Sequence, residues 1–117
     1  MRMTNLLLGD FTLQTDAHEL KSRLQWGQPA FTIIDVRERQ TYNQGHISGA
    51  IPLPVNELVK RATVSLAKDR DIYIYGDSDE QSASAAKTLR DAGFARVSEL
   101  TGGFSAWKAA GGSTEEI

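Results

Sequence analysis

The chain has 117 residues, with 13 basic against 15 acidic side chains for a net charge of −2, 40% hydrophobic residues and no cysteine. That size and composition fit one globular domain spanning residues 1–117, and the near-neutral balance leaves no electrostatic footprint for nucleic acid or an anionic membrane. The absence of cysteine excludes disulfides, thiolate zinc or iron–sulfur ligation, and any reaction that runs through a thiolate or persulfide on this chain.

At the N-terminus, Met1-Arg2-Met3-Thr4 does not continue into a signal-peptide core. Apolar runs such as Leu6 to Leu8 fall far short of the roughly 18 residues needed to span a bilayer. The expectation is a soluble, cytoplasmic protein. Asp16-Ala17-His18-Glu19 reads as a capping box opening a helix to about Trp26, with Ala17, Leu20 and Leu24 on one face. Gly27 and Pro29 stop that helix. Phe31 to Val36 is a short, almost continuously apolar strand ending in Asp35-Val36-Arg37-Glu38, and a helical piece over Arg39 to Asn43 then closes at Gly45. Ala50 to Pro54 is extended and runs into a helix with Pro54 in its first turn and Val55, Leu58, Val59, Ala62 and Leu66 at helical spacing. Ile72-Tyr73-Ile74-Tyr75 is a second buried strand, apolar at successive positions. Gly76 to Glu80 reads as a polar loop, Gln81 to Ala92 as an alanine-rich helix with Ala85, Ala86 and Leu89 inward, and Gly93 as its C-terminal cap. Arg96 to Leu100 is a third strand, Thr101-Gly102-Gly103 a turn, and Phe104 to Ala110 a last short helix. The terminal Gly111 to Glu116 reads as a polar tail.

Strands alternating with helices predict an α/β fold, a small parallel sheet with helices on both faces. In such sheets ligands sit beyond the carboxyl ends of the strands. Two polar segments fall there, Asp35 to Glu38 and Gly76 to Ser82, and the second feeds a helix N-terminus whose free N–H groups form an anion cradle.

Four stretches carry a resemblance: Asp35-Val36-Arg37-Glu38, Gly45-His46-Ile47-Ser48-Gly49-Ala50-Ile51, Ile72 to Tyr75 with its loop, and Leu100-Thr101-Gly102-Gly103-Phe104-Ser105-Ala106-Trp107. In this order and spacing, over a core of about 10–112, the sequence resembles a single-domain rhodanese (sulfurtransferase-like) module. The resemblance implies a three-layer rhodanese-like fold. It also implies that active members place a persulfide-carrying cysteine directly after the second strand, in a pattern close to Cys-x-x-Gly-x-Arg-Ser. Here Gly76 stands at the cysteine position, Asp79 at the glycine and Gln81 at the arginine, and only Ser82 keeps its identity. Asp77, Asp79 and Glu80 add negative charge where an anionic sulfur substrate would bind. Each like-charge pair about 8 Å apart costs roughly 0.5–2 kcal/mol for an effective dielectric between about 80 and 20. The carboxylates are expected to sit at the positive end of the following helix and to satisfy the loop without a ligand.

Other chemistries fit less well. Gly76-Asp77-Ser78-Asp79-Glu80 lacks the last glycine of a serine-hydrolase elbow, and His18 and His46 both precede the serine. As a calcium loop beginning at Asp77, it has Ser82 where the invariant glycine belongs and Thr88 where the bidentate glutamate belongs. Two isolated histidines without cysteine make no transition-metal set. Asp35 and Arg37 are expected at the pocket rim, tying loops together. His46 and Trp107 are expected to be structural, His18 to be at the surface, and Tyr73 and Tyr75 to pack the sheet. The expected function is a catalytically inactive rhodanese-like domain, a binding or regulatory module using Gly76, Asp77, Ser78, Asp79, Glu80, Gln81 and Ser82, with Asp35 and Arg37 at the rim. No cofactor or metal is expected. The expected partner is an unidentified protein or a cationic ligand, with neither nucleic acid nor membrane. The alternatives are a cysteine-independent hydrolase or metal-assisted phosphatase in the same pocket, tested by Ser78→Ala or Asp77→Asn, and an accessory domain of a larger sulfurtransferase system.

Overall fold

The computed structural model describes residues 11–26 and 30–117. The expectations for the N-terminal segment up to residue 10 and for Gly27 and Pro29 lie outside the described residues. The central sheet has five parallel strands: β1 (Gln14–Thr15), β2 (Phe31–Asp35), β4 (Ile51–Pro52), β5 (Asp71–Tyr75) and β6 (Val97–Leu100), in the order β1-β6-β5-β2-β4. β2 pairs with β5 from Phe31↔Asp71 to Asp35↔Tyr75, so the two strands end at the same level.

Successive side chains of a strand point to opposite faces, and here both faces are apolar. Ile34, Ile72, Ile74 and Val97 face α3 (Leu58–Ser65) and α4 (Asp79–Asp91), meeting Leu58, Ala62, Ala85, Ala86 and Leu89. Ile33, Tyr73, Tyr75 and Leu100 face the other way, toward Ala17 and Leu20 of α1 (Ala17–Gln25), Tyr42 of α2 (Arg39–Gln44) and Trp107 of α5 (Gly103–Ala109). This is the α/β three-layer arrangement, and it explains why the strands read as continuous apolar runs. Among the described residues no helix is long and apolar enough to cross a membrane.

The α1 capping box forms, with Glu19 N–H donating to Asp16 and Asp16 N–H donating to the Glu19 side chain, each at 2.9 Å. Leu24 is a correction: it is exposed, because the buried stripe of α1 ends with Leu20. Pro54 precedes a single 3-10 turn, Val55–Glu57, with Val55 exposed, and α3 begins only at Leu58. The helix expected from Gln81 starts two residues earlier, at Asp79, with Ser78 as its N-cap, and the loop shrinks accordingly. Gly93 follows the end of that helix at φ +102°, the left-handed conformation glycine accepts at low cost.

Two further pairings have no periodic signal in the sequence. β1 adds to β6 through two residues, Gln14↔Glu99 and Thr15↔Leu100, with the buried Thr15 and Ser98 hydroxyls 2.6 Å apart. The polar tail turns back instead of leading away. β7 (Thr114–Glu115) pairs antiparallel with β3 (His46–Ile47), and Trp107 Nε1–H donates to Ser113 O at 2.8 Å.

Candidate functional site

Beyond the carboxyl ends of β2, β5 and β6 lies a cavity of about 280 Å³ lined by Arg37, Gly76, Asp77, Ser78, Asp79, Gly102, Gly103, Phe104 and Ser105. This is where a parallel sheet offers its helix N-termini and loops to a ligand. Of the expected residues, Gly76, Asp77, Ser78, Asp79 and Arg37 line it. Asp35, Glu80, Gln81 and Ser82 do not, although Gln81 and Ser82 accept from the N–H groups of the lining residues Asp77 and Gly76. The Gly102–Ser105 wall was legible only as a turn and a helix start. Its signal was the pair of adjacent glycines after a strand: Gly102 and Gly103 both have positive φ, and a Cβ on Gly103 would stand 3.4 Å from Gly76 O.

Side chains of the loop and of the helix start take the N–H groups of Gly76, Asp77 and Gln81. Gly76 N–H donates to Ser82 Oγ at 2.9 Å, Asp77 N–H to Gln81 Oε1 at 2.7 Å, and Gln81 N–H to Ser78 Oγ at 3.1 Å. Asp79 Oδ1 accepts from Gly102 N–H at 2.9 Å, bridging the two walls of the cavity. The expectation that carboxylates would quench the loop is corrected in its chemistry. A hydroxyl and a neutral carboxamide meet the loop's own N–H groups, and the one carboxylate involved caps the opposite wall. Asp79 and Glu80 do occupy the first turn of α4, where the helix dipole favours negative charge. Asp77, Asp79 and Glu80 are all exposed.

Behind the cavity, Asp35 is fully buried and holds Arg37. The guanidinium gives Nη2–H to Asp35 Oδ2 at 2.7 Å and Nε–H to Oδ1 at 3.0 Å, and Nη2 also donates to Gly45 O at 2.7 Å. Its plane lies within about 5.4 Å of the Tyr75 and Phe104 ring centres. Burial works against the charged guanidinium, but the hydrogen bonds and negative charge of Asp35 outweigh it and raise the Arg37 pKa. Burial, followed by the charge of Asp35, pushes the Tyr75 phenol well above its usual range. Tyr75 therefore stays neutral, and its hydroxyl accepts from Ile47 N–H at 3.1 Å. Through these bonds Arg37 joins Asp35 at the end of β2 to the backbone at Gly45.

Neither histidine lines the cavity. His46 is buried, stacked 3.7 Å on Tyr42, with Nδ1 at 2.8 Å from Tyr42 O, while His18 is exposed on α1. Among the described residues no group of three or more His, Asp or Glu side chains is placed to hold a metal ion.

The sequence profile of the rhodanese-like domain matches residues 16–110. The chain belongs to the rhodanese family. The rhodanese-like domain of an Anabaena protein, solved in solution, superposes with a TM-score of 0.88 at 62% identity, covering 92% of this chain and 81% of that one. A thiosulfate sulfurtransferase of Shewanella oneidensis is 37% identical over 75 residues, 64% of this chain and 73% of the relative. A putative sulfur carrier protein of Bacillus subtilis is 36% identical over 78 residues, 67% of this chain and 42% of the relative. This rhodanese-like domain spans 42–59% of the length of that protein and of a second Bacillus subtilis relative. With no cysteine anywhere in its sequence, it is a variant of the family without the sulfur-carrying residue.

Proposed function

We propose that this rhodanese-like domain no longer transfers sulfur and acts as a binding module, presenting its acidic loop to basic side chains of a protein partner. The observation that carries the reading is Gly76 at the end of β5. It is buried, has no side chain to carry sulfur, and has its N–H already committed to Ser82. Asp77 and Asp79 line the cavity and the exposed Glu80 follows them, which leaves this loop with acceptors and negative charge that suit an ammonium or guanidinium and repel thiosulfate. Purified protein incubated with thiosulfate and cyanide is expected to form thiocyanate no faster than buffer alone. Turnover above that control would overturn the reading.

A second reading is favoured by the length relation, since this stretch makes up only 42% of the putative sulfur carrier protein. In it, the domain sits beside a thiol-bearing partner in a larger sulfur-transfer system. A lone monomer on size exclusion that retains no thiol-bearing protein in a pull-down would end this second reading.

A further inference from the structure

The space beside Gly76, which lines the cavity, has an internal occupant. A Cβ built on Gly76 would lie 2.3 Å from Gln81 Oε1 and 3.0 Å from Gln81 Cδ, so the carboxamide stands in the volume that any side chain at position 76 needs. The same oxygen accepts the Asp77 N–H at 2.7 Å. In a capping box, the Gln at the third helical position returns to the N–H of the capping residue itself. Gln81 holds that position behind Ser78, yet its oxygen reaches one residue further back and so crosses beneath Gly76.

We propose that Gln81 is a built-in stopper: its carboxamide fills the space a side chain at residue 76 would take and accepts the loop N–H that such a group would otherwise receive. Gly76 and Gln81 then form a coupled pair, and a side chain placed at 76 alone opens the loop only as far as it displaces Gln81. The near atoms belong to the tip of a flexible side chain, so the stopper is displaceable, and a new group at 76 competes with it instead of meeting a wall. The inference rests on the reading of the loop as silent in sulfur transfer and adds what holds it shut.

The chain contains no cysteine, so Gly76→Cys introduces a unique thiol. Iodoacetamide alkylation across pH compares Gly76→Cys with Gly76→Cys/Gln81→Ala. Asp77, Asp79 and Glu80 are present in both, so their repulsion cancels in the ratio. Removing Gln81 is expected to speed alkylation near neutral pH roughly tenfold and to lower the apparent thiol pKa by about one unit, as the freed Asp77 N–H turns to the thiolate. Equal rates and equal pH profiles overturn the proposal. Should the cysteine variants fail to fold, amide hydrogen exchange in the Gln81→Ala single variant decides. Asp77 N–H is expected to exchange roughly tenfold faster, the scale of one lost hydrogen bond, while Gly76 N–H, held by Ser82, keeps its rate. Unchanged Asp77 exchange overturns the proposal. Thiocyanate formation by the native chain would instead sink the silent-loop reading and leave the exchange result standing.

Discussion

Asp35 and Arg37 are two residues apart in sequence and form one buried unit, with side-chain exposures of 0% and 8%. Such a pair contributes little over a well-packed apolar one, but breaking it strands a charge in the interior, which costs about 3–5 kcal/mol. Arg37→Met is therefore expected to lower the unfolding free energy by about 3–5 kcal/mol in urea titration. The double variant Asp35→Asn/Arg37→Met should lose less than the two single losses added, because the groups share partners. Additive losses would mean that the ion pair is not the coupled element holding the rear of the cavity. The pair was visible in the sequence as charged residues just past a strand. What the sequence could not say was where the guanidinium would lie, because the Tyr75 and Phe104 rings beside it arrive from distant parts of the chain.

Among the elements, those with strong local signals were legible. The capping box at Asp16, the apolar runs of β2 and β5, and the alanine-rich α4 follow from spacing alone. The start of α4 was missed: Ser78-x-x-Gln81 carries a capping-box signature, which outweighs the loop-like look of Gly76 to Glu80 on which the later start at Gln81 rested. The two-residue strands β1, β3 and β7 were not legible, since a pair of residues has no period and its pairing is set by partners 67 to 85 positions away in the register. β7 depends on how the chain leaves α5. Gly112 lies flat on the Trp107 indole, and a Cβ there would come within 2.1 Å of Trp107 Cε2. Trp107 is one of the largest fully buried side chains, so the ring has little room to yield. Gly112→Ala is expected to cost about 1–3 kcal/mol through overpacking and to free the Thr114–Glu115 strand from His46–Ile47. Urea midpoints and the amide exchange of residues in β3 and β7 check both parts. A neutral change with protected amides would show that the chain crosses Trp107 with space to spare.

At the scale of the whole molecule, the family's architecture is present without a cysteine anywhere in the chain. The sheet still delivers the ends of β2, β5 and β6 to one place, but the N–H groups of Gly76, Asp77 and Gln81 bond to side chains of the same loop and helix, and Asp77 and Asp79 line the cavity with the exposed Glu80 next in the chain. If the charge at this location drives recognition, position must matter and net charge must not. Asp77→Asn/Asp79→Asn/Glu80→Gln moves the net charge from −2 to +1, as does Asp69→Asn/Asp91→Asn/Glu116→Gln, whose three exposed residues lie outside the cavity lining. In the loop variant, the Asp79→Asn change keeps a side-chain oxygen for Gly102 N–H, so the bridge across the cavity need not open. A fluorescently labelled oligolysine peptide is expected to bind the native domain at about 0.05 M salt and to weaken as the Debye length shrinks from about 14 Å toward 3 Å at 1 M. The loop variant should bind roughly tenfold more weakly at low salt and show a flatter salt dependence, whereas the distal variant should stay within about twofold of native. Equal weakening in both variants would mean that the peptide senses only overall charge, and the acidic loop would lose its claim to be the recognition surface.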